Sequence, residues 1–233
     1  AAAIILAFLE YNNLTAPAVR DRHLETLALA ASAAIPAVFF LSGPEDCLAL
    51  LFAAVAAFFL RGMLSGRAFR DFLVDASLKT FGLAYIAVPL SYMILVKDTE
   101  LGGARLLFFF IVIWSSDTFA YITGKAFGRH KFAPVLSPGK TIEGVFGGLA
   151  GSLVAAAVFN RFMNTGFALP EALAMAFLLA WAGIAGDLAE SLIKRAAGAK
   201  DSGTIMPGHG GMLDRIDSLL FPLPIYYYML RLV

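Results

Sequence analysis

Cysteine and charged residues are both scarce in this chain of 233 residues. Cys47 is the single cysteine, which excludes an intrachain disulfide and a cysteine-based zinc site. Charged residues make up 15% of the chain and hydrophobic residues 60%, whereas soluble domains contain roughly one quarter charged residues. The net charge is only +1, and the cationic residues lie in short loops and form no basic face, which argues against nucleic-acid binding. The composition predicts an integral membrane protein.

No run of residues alternates between apolar and polar side chains, as a barrel strand would. Because a bilayer admits only helices or closed barrels, we predict an all-α fold, a polytopic helical bundle. A crossing needs about 20 predominantly apolar residues. Seven apolar runs predict spans, at residues 24–41, 47–60, 78–96, 106–123, 142–162, 172–193 and 216–232.

Residues 1–9 are apolar but too few to cross a bilayer, and we interpret them as the end of a truncated helix. We therefore expect about seven spans plus this N-terminal helix. Loops rich in Lys and Arg alternate with loops poor in them, which predicts that the cation-rich loops are cytoplasmic and that the C-terminus lies outside. No linker or repeat divides the chain, so we predict one transmembrane catalytic domain, 1–233.

Ionisable residues concentrate between positions 186 and 218, which read GDLAESLIKRAAGAKDSGTIMPGHGGMLDRIDS. On a helix, one face would carry Asp187, Glu190, Ser191 and Lys194. A loop follows, and then a helix that begins with two further carboxylates, Asp214 and Asp217. Carboxylates beside several Lys and Arg suit a hard cation such as Mg²⁺ that binds phosphate oxygens. The alternative is a solvated loop with ion pairs at the helix ends.

Residues 114–148 hold a second group of polar side chains. Asp117 lies inside an apolar run, about 12 Å along a helix from Lys125. A carboxylate at that depth is costly unless it faces a polar cavity or a partner, which makes Asp117 a functional candidate. The alternative is a structural aspartate that is hydrogen-bonded to a neighbouring helix.

The segment SPGKT at 137–141 is not a phosphate-binding P-loop, because Pro134 stands where that motif requires glycine. We predict instead that Ser137 is the N-cap of the next helix, with Pro138 at its first position. The free N–H groups of that helix would then lie beside Lys140 and attract phosphate. We interpret Glu143 as a charge that complements the helix dipole.

The neighbours of two further residues bear on their roles, supporting a ligand contact for one and arguing against a nucleophile role for the other. Glycines flank His209 and allow a ligand to approach it closely, so we predict that His209 contacts a nucleotide or phosphate. Ser191 has no histidine on its helical stripe to act as a base, which leaves Ser-His-Asp hydrolysis unsupported.

Several spaced segments resemble one enzyme family. They are GKAFGRHK (124–131), SPGKTIEG (137–144), SLIKR (191–195), KDSG (200–203) and PGHGGMLDRID (207–217). Together they closely resemble the phosphatidate cytidylyltransferases, or CDP-diacylglycerol synthases. The resemblance covers 114–233, whereas the part before Trp114 is similar only in being hydrophobic. It implies transfer of a cytidylyl group from CTP to phosphatidic acid, for phospholipid synthesis.

The resemblance also implies roles for individual residues. It suggests Asp187 and Asp214 as the principal ligands of Mg²⁺ or Mn²⁺, with Asp217 and Asp117 as further candidates, and leaves open a monovalent cation such as K⁺. The basic residues expected to hold phosphates and stabilise pyrophosphate are Lys194, Arg195, Lys200 and Arg215. The remaining expected substrate contacts are Ser191, His209, Gly210, Lys140, Lys125 and Ser137. By the same resemblance we expect a homodimer in a bacterial inner membrane.

Two alternatives remain at this point. A CTP-dependent kinase acting on a polyprenol or related lipid would need the same nucleotide and metal but a hydroxyl acceptor. A cation-coupled transporter could use Asp117 and Asp187 inside its helices. Against a transporter, the ionisable residues cluster at one membrane face and no paired interrupted helices are apparent.

Overall fold

The computed structural model describes residues 1–16, 20–203 and 210–233, and these residues form two compact units. Unit 1 comprises Ala1–Leu95 and Ala196–Ile216. Unit 2 comprises Val96–Arg195 and Asp217–Val233.

Unit 1 is built from the first half of the chain. Its helices are α1 (Ala2–Leu14), α2 (Arg22–Leu41), α3 (Cys47–Leu64), α4 (Phe69–Gly82), a π-helical turn (Leu83–Ala87) and the start of α5 (Val88–Lys97). Asp21 begins α2 as its N-cap, and its carboxylate accepts hydrogen bonds from the amides of His23 and Leu24. The same carboxylate forms an ion pair of 3.1 Å with Arg61 of α3, so one buried side chain both starts α2 and links it to α3.

Helix α1 packs into unit 1 through aromatic residues. Phe8 and Tyr11 are fully buried, and the Tyr11 hydroxyl donates a hydrogen bond of 3.0 Å to the carbonyl oxygen of Leu78. Gly82 allows this approach, because a Cβ atom there would lie 2.6 Å from the Tyr11 ring. The run at 1–9 is therefore part of a short apolar helix that belongs to the core of unit 1.

Asp75 is a buried carboxylate of unit 1 that two cations contact. The Asp75 carboxylate lies 3.3 Å from the Lys79 ammonium, one helical turn away, and 3.0 Å from the Arg67 guanidinium. Asp75 and Lys79 are both almost completely buried. Unpaired charges would be expensive in this environment, so the two cations offset the cost of burying the carboxylate.

Unit 2 contains the long helices of the second half. They are α6 (Gly102–Phe127), α7 (Ile142–Phe162) and α8 (Leu169–Ala196), followed by the end of α9 (Leu213–Leu220) and α10 (Pro222–Leu230). Glycines of α7 allow its backbone to approach α6 closely. A Cβ atom at Gly144 would lie 2.8 Å from the Ala120 carbonyl oxygen, and one at Gly148 would lie 2.8 Å from that of Ser116.

A short β-hairpin connects α6 to α7. Strand β1 (Lys131–Ala133) pairs antiparallel with β2 (Ser137–Thr141). The predicted helix start at Ser137 is therefore wrong, since Ser137 lies in β2. Thr141 is the N-cap of α7 instead, and its hydroxyl oxygen accepts a hydrogen bond of 3.1 Å from the Gly144 amide. The first and last residues of SPGKT thus pair with β1, Ser137 with Ala133 and Thr141 with Lys131, before the helix begins.

Among the residues that the structure describes, six helical segments are long and apolar enough to cross a membrane, and they coincide with the first six predicted spans. They are Arg22–Leu41, Cys47–Leu64, Phe69–Lys97, Gly102–Phe127, Ile142–Phe162 and Leu169–Ala196. This confirms a polytopic helical membrane protein. The seventh predicted run, 216–232, is not one continuous helix, because Phe221 separates α9 from α10. Pro222, which has no amide hydrogen to donate, begins α10 and accounts for the break.

Candidate functional site

Unit 2 encloses a cavity of about 460 Å³ between α6, the hairpin, α7 and α8. Its volume lies within the range of small-molecule sites. Five of the residues that the sequence analysis assigned to substrate or metal line this cavity, namely Asp117, Lys125, Ser137, Lys140 and Asp187. They come from three separate parts of the chain, and the fold of unit 2 brings them together.

An ion pair crosses this cavity. The ammonium of Lys140 on β2 lies 2.7 Å from the Asp187 carboxylate on α8, and both side chains remain partly exposed to solvent. The other oxygen of Asp187 accepts a hydrogen bond of 3.4 Å from the Ser191 hydroxyl, one turn further along α8. Lys140 is thus a cation in a cavity, held by one carboxylate that solvent or a ligand can reach.

Three carboxylates of unit 2 lie near one another. Those of Asp117 and Asp217 are close enough to Asp187 to interact with its charge. The Ser218 hydroxyl donates a hydrogen bond of 3.2 Å to Asp117. Gly186 permits the approach of α8 to α9, because a Cβ atom there would lie 2.5 Å from the Asp217 carbonyl oxygen. Mutual repulsion between these carboxylates would be relieved by a bound cation.

The donor atoms suit a hard divalent cation, although the described residues do not form a complete ligand set. Carboxylate and hydroxyl oxygens are the ligands that Mg²⁺ prefers. Among the residues that the structure describes, no three His, Cys, Asp or Glu side chains are arranged to hold one metal ion. The Lys140 ammonium at Asp187 marks a position where positive charge is already stabilised. The carboxylates therefore fit a cation that brings further ligands, such as phosphate oxygens.

Glu143 organises the loop in front of the hairpin. Its carboxylate accepts hydrogen bonds from the backbone amides of Arg129 and His130, at 3.1 and 3.3 Å, and lies 2.6 Å from His130 Nδ1. The sequence analysis interpreted Glu143 only as a charge at a helix start. The structure adds that it connects α7 to the loop between α6 and β1, which a local pattern could not indicate.

The basic residues at the end of α8 are engaged by unit 2. Lys194 forms an ion pair with the buried carboxylate of Glu190, one turn before it. Arg195 Nε donates a hydrogen bond of 3.4 Å to the Leu136 carbonyl oxygen in the hairpin. The Lys194–Glu190 and Ser191–Asp187 contacts confirm the predicted polar face of α8. The phosphate-binding roles of Lys194 and Arg195 stay predictions.

The other predicted residues belong to unit 1, where Asp214 is the best defined. One oxygen of its carboxylate accepts hydrogen bonds from the Ser202 amide (2.9 Å), the Ser202 hydroxyl (2.8 Å) and the Gly211 amide (2.7 Å). Gly210 has a φ of 80°, and a Cβ atom there would lie 2.6 Å from the same oxygen. Asp214 thus holds the backbone of residues 202 and 211, and its role as a metal ligand stays a prediction.

Three further predictions concern this part of the chain. Lys200 and Arg215 lie in unit 1, and their phosphate contacts stay predictions. His209 lies outside the described residues.

Glu10 is a residue that sequence reasoning missed. Its side chain is buried, and its carboxylate accepts hydrogen bonds from the amides of Met212 (2.9 Å) and Leu213 (2.8 Å) at the start of α9. The available signal was a carboxylate next to an apolar run, which we interpreted as a helix end. Its partners are about 200 residues away in sequence, so no local pattern identifies them.

Comparison with known proteins places these features in a family context. A model of the cytidylyltransferase family matches residues 1–233. Among similar named proteins is a phosphatidate cytidylyltransferase of Staphylococcus saprophyticus subsp. saprophyticus, 43% identical over 157 residues, which are 67% of this chain and 60% of the relative. Those of Staphylococcus epidermidis and Staphylococcus aureus are 42% and 40% identical over the same shares of both chains. The matched region thus spans about 60% of the length of these relatives.

Proposed function

The chain belongs to the cytidylyltransferase family, and from this premise we propose that it transfers the cytidylyl group of CTP to phosphatidic acid. A phosphate oxygen of phosphatidic acid would attack the α-phosphorus of CTP. The bond from that phosphorus to the bridging oxygen of the β-phosphate breaks, and pyrophosphate leaves. A phosphate monoester is already an adequate nucleophile, so catalysis consists mainly of positioning and charge neutralisation. The names of the similar staphylococcal proteins support this reaction.

The observation that carries the proposal is the Lys140–Asp187 pair in the cavity of unit 2. An ammonium that is bound to a partly exposed carboxylate can exchange that partner for a phosphate oxygen. Lys125 of α6 lines the same cavity and would supply a second positive charge. CTP would therefore place its triphosphate beside the hairpin, between these two lysines.

Asp187 and Asp117 would hold Mg²⁺ or Mn²⁺ at this cavity, with Asp217 close by. When bound, the cation neutralises charge on the triphosphate and on the departing pyrophosphate. Repulsion among the three carboxylates supports a cation-dependent site. Lys140 complements this arrangement, because its ammonium could exchange the Asp187 carboxylate for a phosphate oxygen and so leave Asp187 available to a cation.

We further propose that the cation-rich loops, and with them the entrance for CTP, face the cytoplasm of a bacterial cell, and that the chain forms a homodimer. The alternation of loop charges supports the orientation. In this arrangement α9 and α10 together make a seventh, broken crossing that carries the C-terminus outside. Labelling of single cysteines placed at Lys131 and Val233, in a Cys47→Ala background, tests it. Equal accessibility of both positions from one side would contradict it.

The experiment that tests the reaction uses the purified full chain in mixed micelles with Mg²⁺. Parallel reactions contain α-labelled or γ-labelled CTP, and either phosphatidic acid or a polyprenol as acceptor. We expect α-label in CDP-diacylglycerol with phosphatidic acid only. Transfer of γ-label to the polyprenol would instead identify a lipid kinase. Absence of label from both lipids would contradict the hypothesis that the chain is a CTP-dependent enzyme.

A further inference from the structure

Glu10 of α1 is a buried carboxylate of unit 1 whose hydrogen-bond partners lie about 200 residues later in the sequence. Only 4% of its surface is exposed, and nine mostly aliphatic residues precede it in the chain. Burying a carboxylate is costly unless hydrogen bonds replace its water. The structure shows that these bonds come from residues 202, 212 and 213.

Both oxygens of Glu10 are used at the start of α9. Oε1 accepts a hydrogen bond of 2.9 Å from the Met212 amide, and Oε2 accepts one of 2.8 Å from the Leu213 amide. These are N–H groups at a helix start, which have no partner within the helix. An anion is also favoured there by the helix dipole. Glu10 therefore caps α9 from α1, in place of a residue within its own segment.

The surrounding backbone is shaped to fit this carboxylate. The Ser202 oxygen lies between the two carboxylates, 2.8 Å from Asp214 Oδ2 and 3.3 Å from Glu10 Oε2, and its one hydrogen can be donated to either of them but not to both at once. A Cβ atom at Gly203 would lie 2.6 Å from Glu10 Oε1, and one at Gly211 would lie 2.5 Å from Oε2. Any larger residue at these positions would displace Glu10. The Glu10 carboxylate is thus in close contact with the backbone at Gly203 and Gly211 and with the Ser202 hydroxyl.

We propose that Glu10 is a positioning residue for cytidylyl transfer, which holds the first turn of α9 and with it Asp214 and Arg215. This inference rests on the proposed function and on the roles in the reaction that the family resemblance implies for those two residues. Glu10 itself touches neither substrate. Its carboxylate fixes the direction in which the first turn of α9 leaves the preceding backbone.

The test compares Glu10→Gln with Asp21→Asn in the purified full chain. Asp21 is a matched control because it is a buried carboxylate that caps α2 with two amides, on a helix that carries no proposed site residue. In Glu10→Gln the new amide group faces a backbone N–H and leaves it without an acceptor. We expect the Met212 and Leu213 amides to exchange with deuterium at least about tenfold faster, the scale of one lost charged hydrogen bond.

Kinetics at a temperature where both variants are folded separate positioning from stability. We expect Glu10→Gln to lower kcat at least about tenfold with KM for CTP within threefold, because the proposed CTP cavity is built by unit 2 alone. Asp21→Asn should leave kcat within twofold at an equal loss of Tm. Glu10→Asp should recover part of the kcat, since it keeps a carboxylate that reaches one amide.

Three results would overturn the inference. They are unchanged amide exchange in Glu10→Gln, an unchanged kcat, or an equal loss of kcat in Asp21→Asn. Failure of the proposed function is a different result, because the wild-type chain itself would then form no CDP-diacylglycerol. The amide exchange would still decide in that case whether Glu10 holds α9.

Discussion

Asp187 in unit 2 and Asp214 in unit 1 were equivalent in the sequence analysis, and the structure shows them in contrasting environments. Asp187 lines a cavity and is bound by the side chains of Lys140 and Ser191. Asp214 accepts hydrogen bonds from the backbone amides of Ser202 and Gly211. A flexible ammonium can exchange its partner for a ligand, whereas a backbone amide cannot move away without unfolding its segment. The contrast separates a carboxylate whose partner a ligand can replace from a carboxylate that holds its own backbone segment in place.

The largest effect should come from the exchangeable carboxylate. Asp187→Asn removes the charge that balances Lys140 and is proposed to bind the divalent cation, so we expect transfer to fall roughly 10³-fold. Tm should change little, because Asp187 is partly exposed. The measurement is the initial rate with α-labelled CTP and phosphatidic acid. Asp98→Asn, at an exposed turn of unit 2, is the control that should retain activity. Near-normal activity of Asp187→Asn would remove its metal-binding role.

Asp214→Asn tests the other side of the comparison. In Asp214→Asn the neutral amide oxygen replaces the charged Oδ2 and accepts the three hydrogen bonds from Ser202 and Gly211 more weakly, so we expect activity to fall together with stability. Weakening of these charged hydrogen bonds should cost about 2 kcal/mol of unfolding free energy. For a chain of this length that lowers Tm by roughly 4–8 °C. Thermal unfolding in detergent measures it. An unchanged Tm together with complete loss of transfer would contradict the structural role of Asp214 and would give it the same kind of role as Asp187.

The smallest effect should come from Glu143, which holds the loop before β1 through the Arg129 and His130 amides. Glu143→Gln weakens the hydrogen bonds to Arg129 and His130. We expect KM for CTP to rise about three- to tenfold, with kcat nearly unchanged, since one weakened charged hydrogen bond corresponds to this range. Glu171→Gln is the matched control, because Glu171 also accepts a backbone amide beside the start of a helix, that of Ala168. An equal rise in KM for both variants would contradict a specific role of Glu143.

The long apolar helices could be predicted because span length follows from bilayer thickness. Six predicted runs coincide with helices for that reason. Asp117 could be identified as a candidate because it is a carboxylate in apolar surroundings, and the structure places it at the cavity that Lys140 and Asp187 also line. These features depend on composition within a short window.

The remaining features depend on contacts between distant parts of the chain. The hairpin forms because Ser137–Thr141 pairs with Lys131–Ala133, which overrides the helix start predicted at Ser137. Glu10 is buried against Met212 and Leu213 from the other end of the chain. No local pattern distinguishes such a capping carboxylate from a charge at a helix end.

The most direct test of the central claim is equilibrium binding of labelled CTP to the purified full chain in Mg²⁺. It compares Lys140→Ala with Lys131→Ala, two lysines of the same hairpin of which only Lys140 lines the cavity. We predict that Lys140→Ala weakens CTP binding at least about tenfold, as expected for a lost charged contact to phosphate, and that Lys131→Ala changes it less than twofold. Equal affinity of both variants would contradict a triphosphate site at the Lys140–Asp187 pair.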